Sequence, residues 1–283
     1  MKLLNLTQVF EQEPPKLDFV LCGLAAGTVG NIASPGATGK SFAAVEMAMG
    51  VACAEADNRL LGVANGQEGK VVVFNAEDPE AVIKNRLHSI GRHLDDSSRR
   101  QVLANVEIYT LLGEVHNIMC PQFMAEVIKI CKNKRLVIFD TFTRFHQLNE
   151  NDNGQMSQVI SFYEKIATDT GAAVLFLHHN SKGAVLSGQQ VSQQATRGAS
   201  AITDNCRWQG YLQAMSVEEE RENGLEEGAR KRFVKFGGNK ENYGLATAER
   251  WFERVEGGVL LPYDLTKTAK GKLKLVSKEG DWR

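Results

Sequence analysis

No apolar run in the 283 residues is long enough to cross a membrane, since the most apolar stretch, from Phe42 to Ala54, is interrupted by Glu46. The opening MKLLNLTQVF has too short an apolar core for a signal peptide, so the expectation is a cytoplasmic protein with no membrane contact. Neither sign of charge is in excess: 33 Lys and Arg against 34 Asp and Glu leave a net charge of -1. That excludes a globally basic, DNA-coating protein and confines any nucleic-acid contact to a local groove or a channel built from several subunits. Cysteine is sparse and odd in number, and Cys22, Cys53, Cys120, Cys131 and Cys206 include no pair at metal-ligand or redox spacing. They read as buried thiols of a reducing compartment. The histidines are also scattered, apart from the adjacent His178 and His179, and the chain has no internal repeat.

What is present is a 43% hydrophobic chain, enough to fill a sizeable core. Residues 1–27, with a short mixed helix and the Pro14-Pro15 pair, read as an arm that packs on a neighbouring subunit. From Thr28 onward strand-length apolar runs alternate with helical periods. The pairs are Thr28–Ala33 with Lys40–Glu55, Lys70–Asn75 with Pro79–His93, and Val106–Leu111 with Pro121–Cys131. Arg135–Asp140, a helix from Gln155 to Thr170, and Ala172–His179 continue the series. Strands apolar on both faces, alternating with helices, predict an α/β fold with a mostly parallel sheet flanked by helices.

A Gly-, Ser- and Gln-rich loop of about twenty residues follows His179, a length that is usually functional or disordered. Beyond it Ile202–Leu212, Arg232–Phe236, Arg250–Val255 and Val259–Leu261 read as antiparallel strands added to the sheet, with one helix opening at Ser216. The main α/β domain is placed at 28–266 and a basic, frayed tail at 267–283, where five lysines fall.

Between the first strand and its helix lies SPGATGKS: Ser34, Pro35, Gly36, Ala37, Thr38, Gly39, Lys40 and Ser41. A glycine-containing loop opening a helix offers unpaired N–H groups and the positive end of the dipole to phosphates. Lys40 would reach the β and γ phosphates of ATP, and the Ser41 hydroxyl would ligate Mg2+. Ser34 stands where the motif has glycine; the bland alternative is a turn that contains Gly-Lys-Ser by chance. RLVIFD places Asp140 at the end of a buried strand, as a metal-holding carboxylate, partly through water, or as a turn residue. KVVVFNAEDP places Glu77 where a carboxylate would position or activate water, with Asp78 suited to cap the helix opening at Pro79. Alternation sends His178 and His179 to opposite faces, and His179 is read as the γ-phosphate sensor, or else as a satisfied core histidine.

This ordered set resembles the RecA-like P-loop NTPase core and, more narrowly, the ring-forming replicative helicases of the DnaB superfamily. Arg86 follows Glu77 by nine residues as in the DnaB helicase motif, and ATRGAS, 195–200, resembles the element closing the DNA loop. The phrases SPGATGKS, AEDP, FDTFTRFH, FLHHNSKGA and DNCRWQGYL are similar to the hexameric helicases of IncQ-type plasmids. The resemblance implies a homohexamer that hydrolyses ATP at subunit interfaces and moves 5′ to 3′ on single-stranded DNA during plasmid replication. Plasmid initiator and primase proteins are possible partners; the extra domain of longer relatives is absent from this sequence, so their contacts are not carried over. Arg207 matches the arginine a neighbouring subunit supplies to the site, with Arg254 the second candidate. Lys182 and Arg197 would meet DNA phosphates in the channel, and Arg86 would link the nucleotide and DNA sites. Two rival readings are a RecA-like recombination-type ATPase without unwinding and a P-loop phosphotransferase for a small metabolite.

Overall fold

The computed structural model describes residues 3–179, 200–244 and 247–265. An exposed helix, α1 (Leu6–Glu11), precedes a small hairpin of β1 (Phe19–Leu21) and β2 (Leu24–Ala25). The alternating part then runs β3 (Val29–Ser34), α2 (Lys40–Ala52), α3 (Ala54–Arg59), β4 (Val71–Asn75), α4 (Glu80–Gly91) and α5 (Asp96–Asn105). It continues with β5 (Val106–Thr110), α6 (Pro121–Cys131), β6 (Leu136–Asp140), α7 (Asn153–Thr170) and β7 (Ala173–His179). After the short helix Ala201–Asn205 come β8 (Trp208–Ala214), the helix Val217–Glu222, β9 (Phe233–Glu241), β10 (Arg250–Arg254) and β11 (Leu260–Tyr263).

The main sheet has nine strands in the order β11-β10-β9-β8-β3-β7-β6-β4-β5. From β8 to β5 every pairing is parallel, and from β8 to β11 every pairing is antiparallel. Two expectations therefore need correcting. The run from Ile202 splits into a helix and a strand because Ser200, Asp204 and Asn205 favour a helical turn before the β-rich WQGYL segment. That strand, β8, pairs parallel to β3 on one side, so the switch to antiparallel comes one strand later than expected.

The central strands are buried on both faces, which is why they carry Val, Ile, Leu and Phe without alternation. Val71, Val73, Leu136, Ile138, Leu175 and Leu177 face α2, whereas Val72, Phe74, Val137, Phe139, Val174 and Phe176 face α6 and α7. Each fully buried side chain of this size is worth roughly 1.5–3 kcal/mol against leaving it in water. The Trp208 ring is seated on glycine: a Cβ at Gly210 would lie 2.6 Å from its Cη2. The lead-in to the domain divides in two. Leu3, Leu6 and Phe10 stand in solvent, while Val20, Leu21 and Leu24 of the β1–β2 hairpin enter the chain's own core. Cys53, Cys131 and Cys206 are buried as expected, but Cys22 and Cys120 are only half-buried.

One charged residue sits inside this packing. Glu46 on α2 is fully buried; Oε1 accepts from the Leu260 backbone N–H at 2.9 Å, and Oε2 has no partner. Burial pushes its carboxyl well above the usual carboxylate range, so the folded state favours the neutral acid. The sign follows: its stabilising contribution is complete below the unfolded value and is lost as pH rises through the folded one. Glu46→Gln, which keeps the acceptor for Leu260, is expected to melt above wild type by a margin that widens as pH rises above the ordinary carboxylate range. Thermal melts at a series of pH values above that range check it; a margin that stays flat would mean that Glu46 does not titrate there.

Candidate nucleotide site

The loop from Ser34 to Ser41 leaves the carboxyl end of β3 and opens α2. Gly39 has φ 100°, and Ala37 also lies in the left-handed region at φ 61°. Thr38 Oγ1 ties the loop to itself by donating to the Pro35 carbonyl at 2.9 Å. Ser34 explains the departure from the motif. Its fully buried hydroxyl accepts from the Leu212 N–H of β8 at 2.7 Å, one step beyond the last paired residues of the β3–β8 ladder. A glycine there would leave that N–H without its acceptor. Ser34→Gly is therefore expected to cost about 1–3 kcal/mol of stability, read from denaturant unfolding, with ATP affinity little changed.

Four side chains from four parallel strands and their loops converge on this loop. Lys40 is buried, donating to the carbonyls of Ser34 at 2.9 Å and Pro35 at 2.8 Å, and its Nζ lies 3.3 Å from His179 Nδ1. Burial pulls the Lys40 ammonium down to about 8, against the opposing pull of Glu77 and Asp140. An ammonium only donates, so His179 Nδ1 accepts and the ring proton lies on Nε2, facing Glu77. The Nε2 to Glu77 Oε1 distance is 3.8 Å, beyond hydrogen-bond length. His179 holds the Glu77 carboxylate below its usual range, with help from Lys40 and Arg144. Glu77 is thus ionised and a weak proton acceptor, better suited to orienting water than to removing its proton completely.

Asp140 ends β6 and is 3% exposed. Burial pushes its carboxyl up to about 6, Glu77 and Asp78 push the same way, and a bond from the Ser41 hydroxyl opposes them. Asn75 Nδ2 donates to Asp140 Oδ2 at 3.2 Å, and Asn75 Oδ1 accepts from the Asp78 N–H at 3.0 Å, pinning the turn that carries Glu77. A buried, poorly compensated carboxylate beside a serine hydroxyl is the hard-oxygen donor pair that magnesium takes. No group of three or more His, Cys, Asp or Glu fit for a metal occurs among the described residues. One or two protein donors are what a magnesium–phosphate site uses, so the residues fit the ion.

The remaining sequence-predicted residues are placed differently from one another. His178 points to the opposite face, fully buried with its ring edge-on to Phe142 at 5.5 Å and its Nε2 3.6 Å from Glu150 Oε2; burial lowers its pKa. Asp78 does not cap α4, whose N-cap is Pro79 with no side-chain bond. Instead its carboxylate pairs with Arg86 at 3.0 Å, an opposite charge within the same helix. Arg86 is in turn stacked over Phe42 at 4.9 Å, at the start of α2. Arg254 donates to the carbonyls of Thr38 at 2.8 Å and Ala37 at 3.4 Å, so it engages the loop of its own chain. Arg207 lies at the amino end of the central strands, away from the loop, its N–H bonded to the Val29 carbonyl at 2.8 Å where β3 begins. Lys182 and Arg197 fall outside the described residues. The sequence reading missed Asn75, which had no motif to mark it, and the exposed Arg144, which lies in the quoted FDTFTRFH.

The fold is similar to that of the RadB recombinase, with a TM-score of 0.52 and 14% identity over 84% of this chain and 91% of that one. It is also similar to a DnaB-like replicative helicase solved for its interactions with primase, with a TM-score of 0.60 and 12% identity over 92% of this chain and 65% of that one. Likeness at these identities establishes the RecA-like fold. The AAA domain family matches residues 2–185, which span the phosphate loop, Glu77, Asp140 and His179. The chain belongs to the AAA domain family and has a RecA-like fold.

Proposed function

We propose that the chain is an ATP hydrolase that works as a ring-forming replicative DNA helicase. The observation that carries the hydrolase reading is the convergence of Lys40, Glu77, Asp140 and His179 on one loop at the carboxyl end of the parallel strands. The loop N–H groups and Lys40 bind the phosphates; Ser41 and Asp140 would hold magnesium, which supplies charge compensation when bound with the nucleotide. Glu77 orients water. His179, touching both Lys40 and Glu77, links the state of the phosphate side to the strand end from which the next loop departs.

Two features support assembly into a ring. Arg207 is too far along the sheet to serve its own loop, and α1 exposes Leu6 and Phe10, apolar surface that packing on a neighbouring copy would cover. The homohexamer, the 5′ to 3′ movement on single-stranded DNA, the plasmid initiator and primase partners, and the channel role of Lys182 and Arg197 rest on the resemblance to the plasmid helicases. No helix among the described residues is long and apolar enough to cross a membrane. A recombination-type ATPase without unwinding is the second reading, favoured by the fuller coverage of RadB, 91% of that chain against 65% of the helicase. A forked DNA substrate separates them: ATP- and polarity-dependent strand release supports the helicase, and stable filaments without release support the second reading.

A further inference from the structure

We propose that the β10–β11 hairpin is a clamp on the phosphate loop of its own subunit, with Arg254 as the residue that aims the loop's N–H groups. The inference rests on the nucleotide-site reading above and concerns residues beyond the AAA-matched segment.

The hairpin grips the loop and its helix at three places. Arg254 Nη2 donates to the carbonyls of Thr38 and Ala37, 217 residues or so away in sequence. Leu260 packs below Gly39, where a Cβ would come 3.7 Å from its Cδ1, and its N–H is bonded to buried Glu46 of α2. At the turn between the two strands Gly258 closes on the Phe42 ring, a Cβ there falling 2.8 Å from Cε2. The turn itself is shut by the Val255 N–H bonded to the Val259 carbonyl at 2.9 Å.

The consequence for the loop follows from peptide geometry. A trans peptide is planar, so its carbonyl and N–H point in opposite directions. Holding the carbonyls of Ala37 and Thr38 toward Arg254 turns the N–H groups of Thr38 and Gly39 the other way, toward the side where a phosphate would be received. Ala37 has a side chain yet sits at φ 61°, a conformation that L-residues adopt at a cost and that an outside contact must maintain. Arg254 supplies that contact, as a positioning residue acting in cis through the loop backbone.

The test is steady-state ATP hydrolysis by wild type, Arg254→Ala and Arg254→Lys, with folding checked by circular dichroism, and by mixtures of Arg254→Ala with Lys40→Ala subunits. Arg254→Ala is expected to raise the KM for ATP by about tenfold with kcat changed by no more than about twofold, the loss of a charge-assisted hydrogen bond to the loop. Arg254→Lys, keeping the charge but able to serve one carbonyl well, is expected to fall between. Mixing with Lys40→Ala subunits, which carry an intact Arg254 but a disabled loop, is expected to restore nothing, because each Arg254 serves its own chain. A fall in kcat at unchanged KM, or activity regained on mixing, would overturn the clamp and make Arg254 a group donated to the neighbour. If Arg254→Ala does not fold, the Lys variant decides alone: an unchanged KM overturns the clamp. A wild-type protein that binds no ATP would instead remove the nucleotide reading on which the clamp stands.

Discussion

Glu77→Gln is expected to bind ATP with wild-type affinity and to hydrolyse it about 10²- to 10⁴-fold more slowly. The amide keeps the shape and the packing of the strand end, and the groups that bind phosphate, Lys40 and the loop N–H groups, are untouched. What is lost is an ionised carboxylate that Asn75 positions through the Asp78 turn and that His179 and Lys40 keep charged. Fluorescent-nucleotide binding measured beside single-turnover hydrolysis separates the two effects, and near-normal turnover would remove Glu77 from the role. Because its pKa is held below the usual range, Glu77 stays ionised as pH falls through the ordinary carboxylate values. An acid limb in the wild-type rate at higher pH is therefore not expected to disappear in a comparison that changes Glu77 alone.

The second large effect concerns Arg207. Its N–H is bonded at Val29, the start of β3, whereas the phosphate loop begins at Ser34, five residues on. At strand rise the intervening length is roughly 17 Å, farther than an arginine side chain extends. Arg207 is too far away to complete the site of its own subunit; in the proposed closed ring a neighbour's Arg207 would do so. Arg207→Ala is then expected to retain nucleotide binding and assembly while losing about 10³- to 10⁵-fold in hydrolysis, the range of a charge-stabilising arginine supplied in trans. Doping such subunits into wild-type rings should reduce activity more than in proportion to their fraction. Simple linear dilution would argue against a shared site.

Much of this site was legible in the sequence because its parts sit at the ends of strongly apolar strands. VVVFN, LVIFD and AVLFLHH each read as buried parallel strands, which alone sends the carboxyl-end residues Glu77, Asp140 and His179 to one crevice. Illegible parts depend on contacts distant along the chain or on weak periodicity. α5 opens with DSSRRQ, polar on every side, and offers no apolar stripe to mark a helix. The helix Ala201–Asn205 is five residues long, and its Ala and Ile look like the start of the strand that follows. Asp78 was assigned to a cap by local sequence, and an arginine two turns into the same helix outcompeted the backbone for it. Ser34 departs from the motif for a reason that lies far along the chain, the N–H of β8 that its hydroxyl receives. The bond from Arg254 to the phosphate loop joins residues more than two hundred positions apart, so no local pattern marks it.

The most direct test of a site shared between subunits is the rate of ATP hydrolysis per subunit as protein concentration is raised, in the presence of single-stranded DNA. A rate that is near zero at high dilution and climbs steeply as six-membered assemblies form is the expected result. A rate per subunit that is full in the monomer and independent of concentration would contradict it.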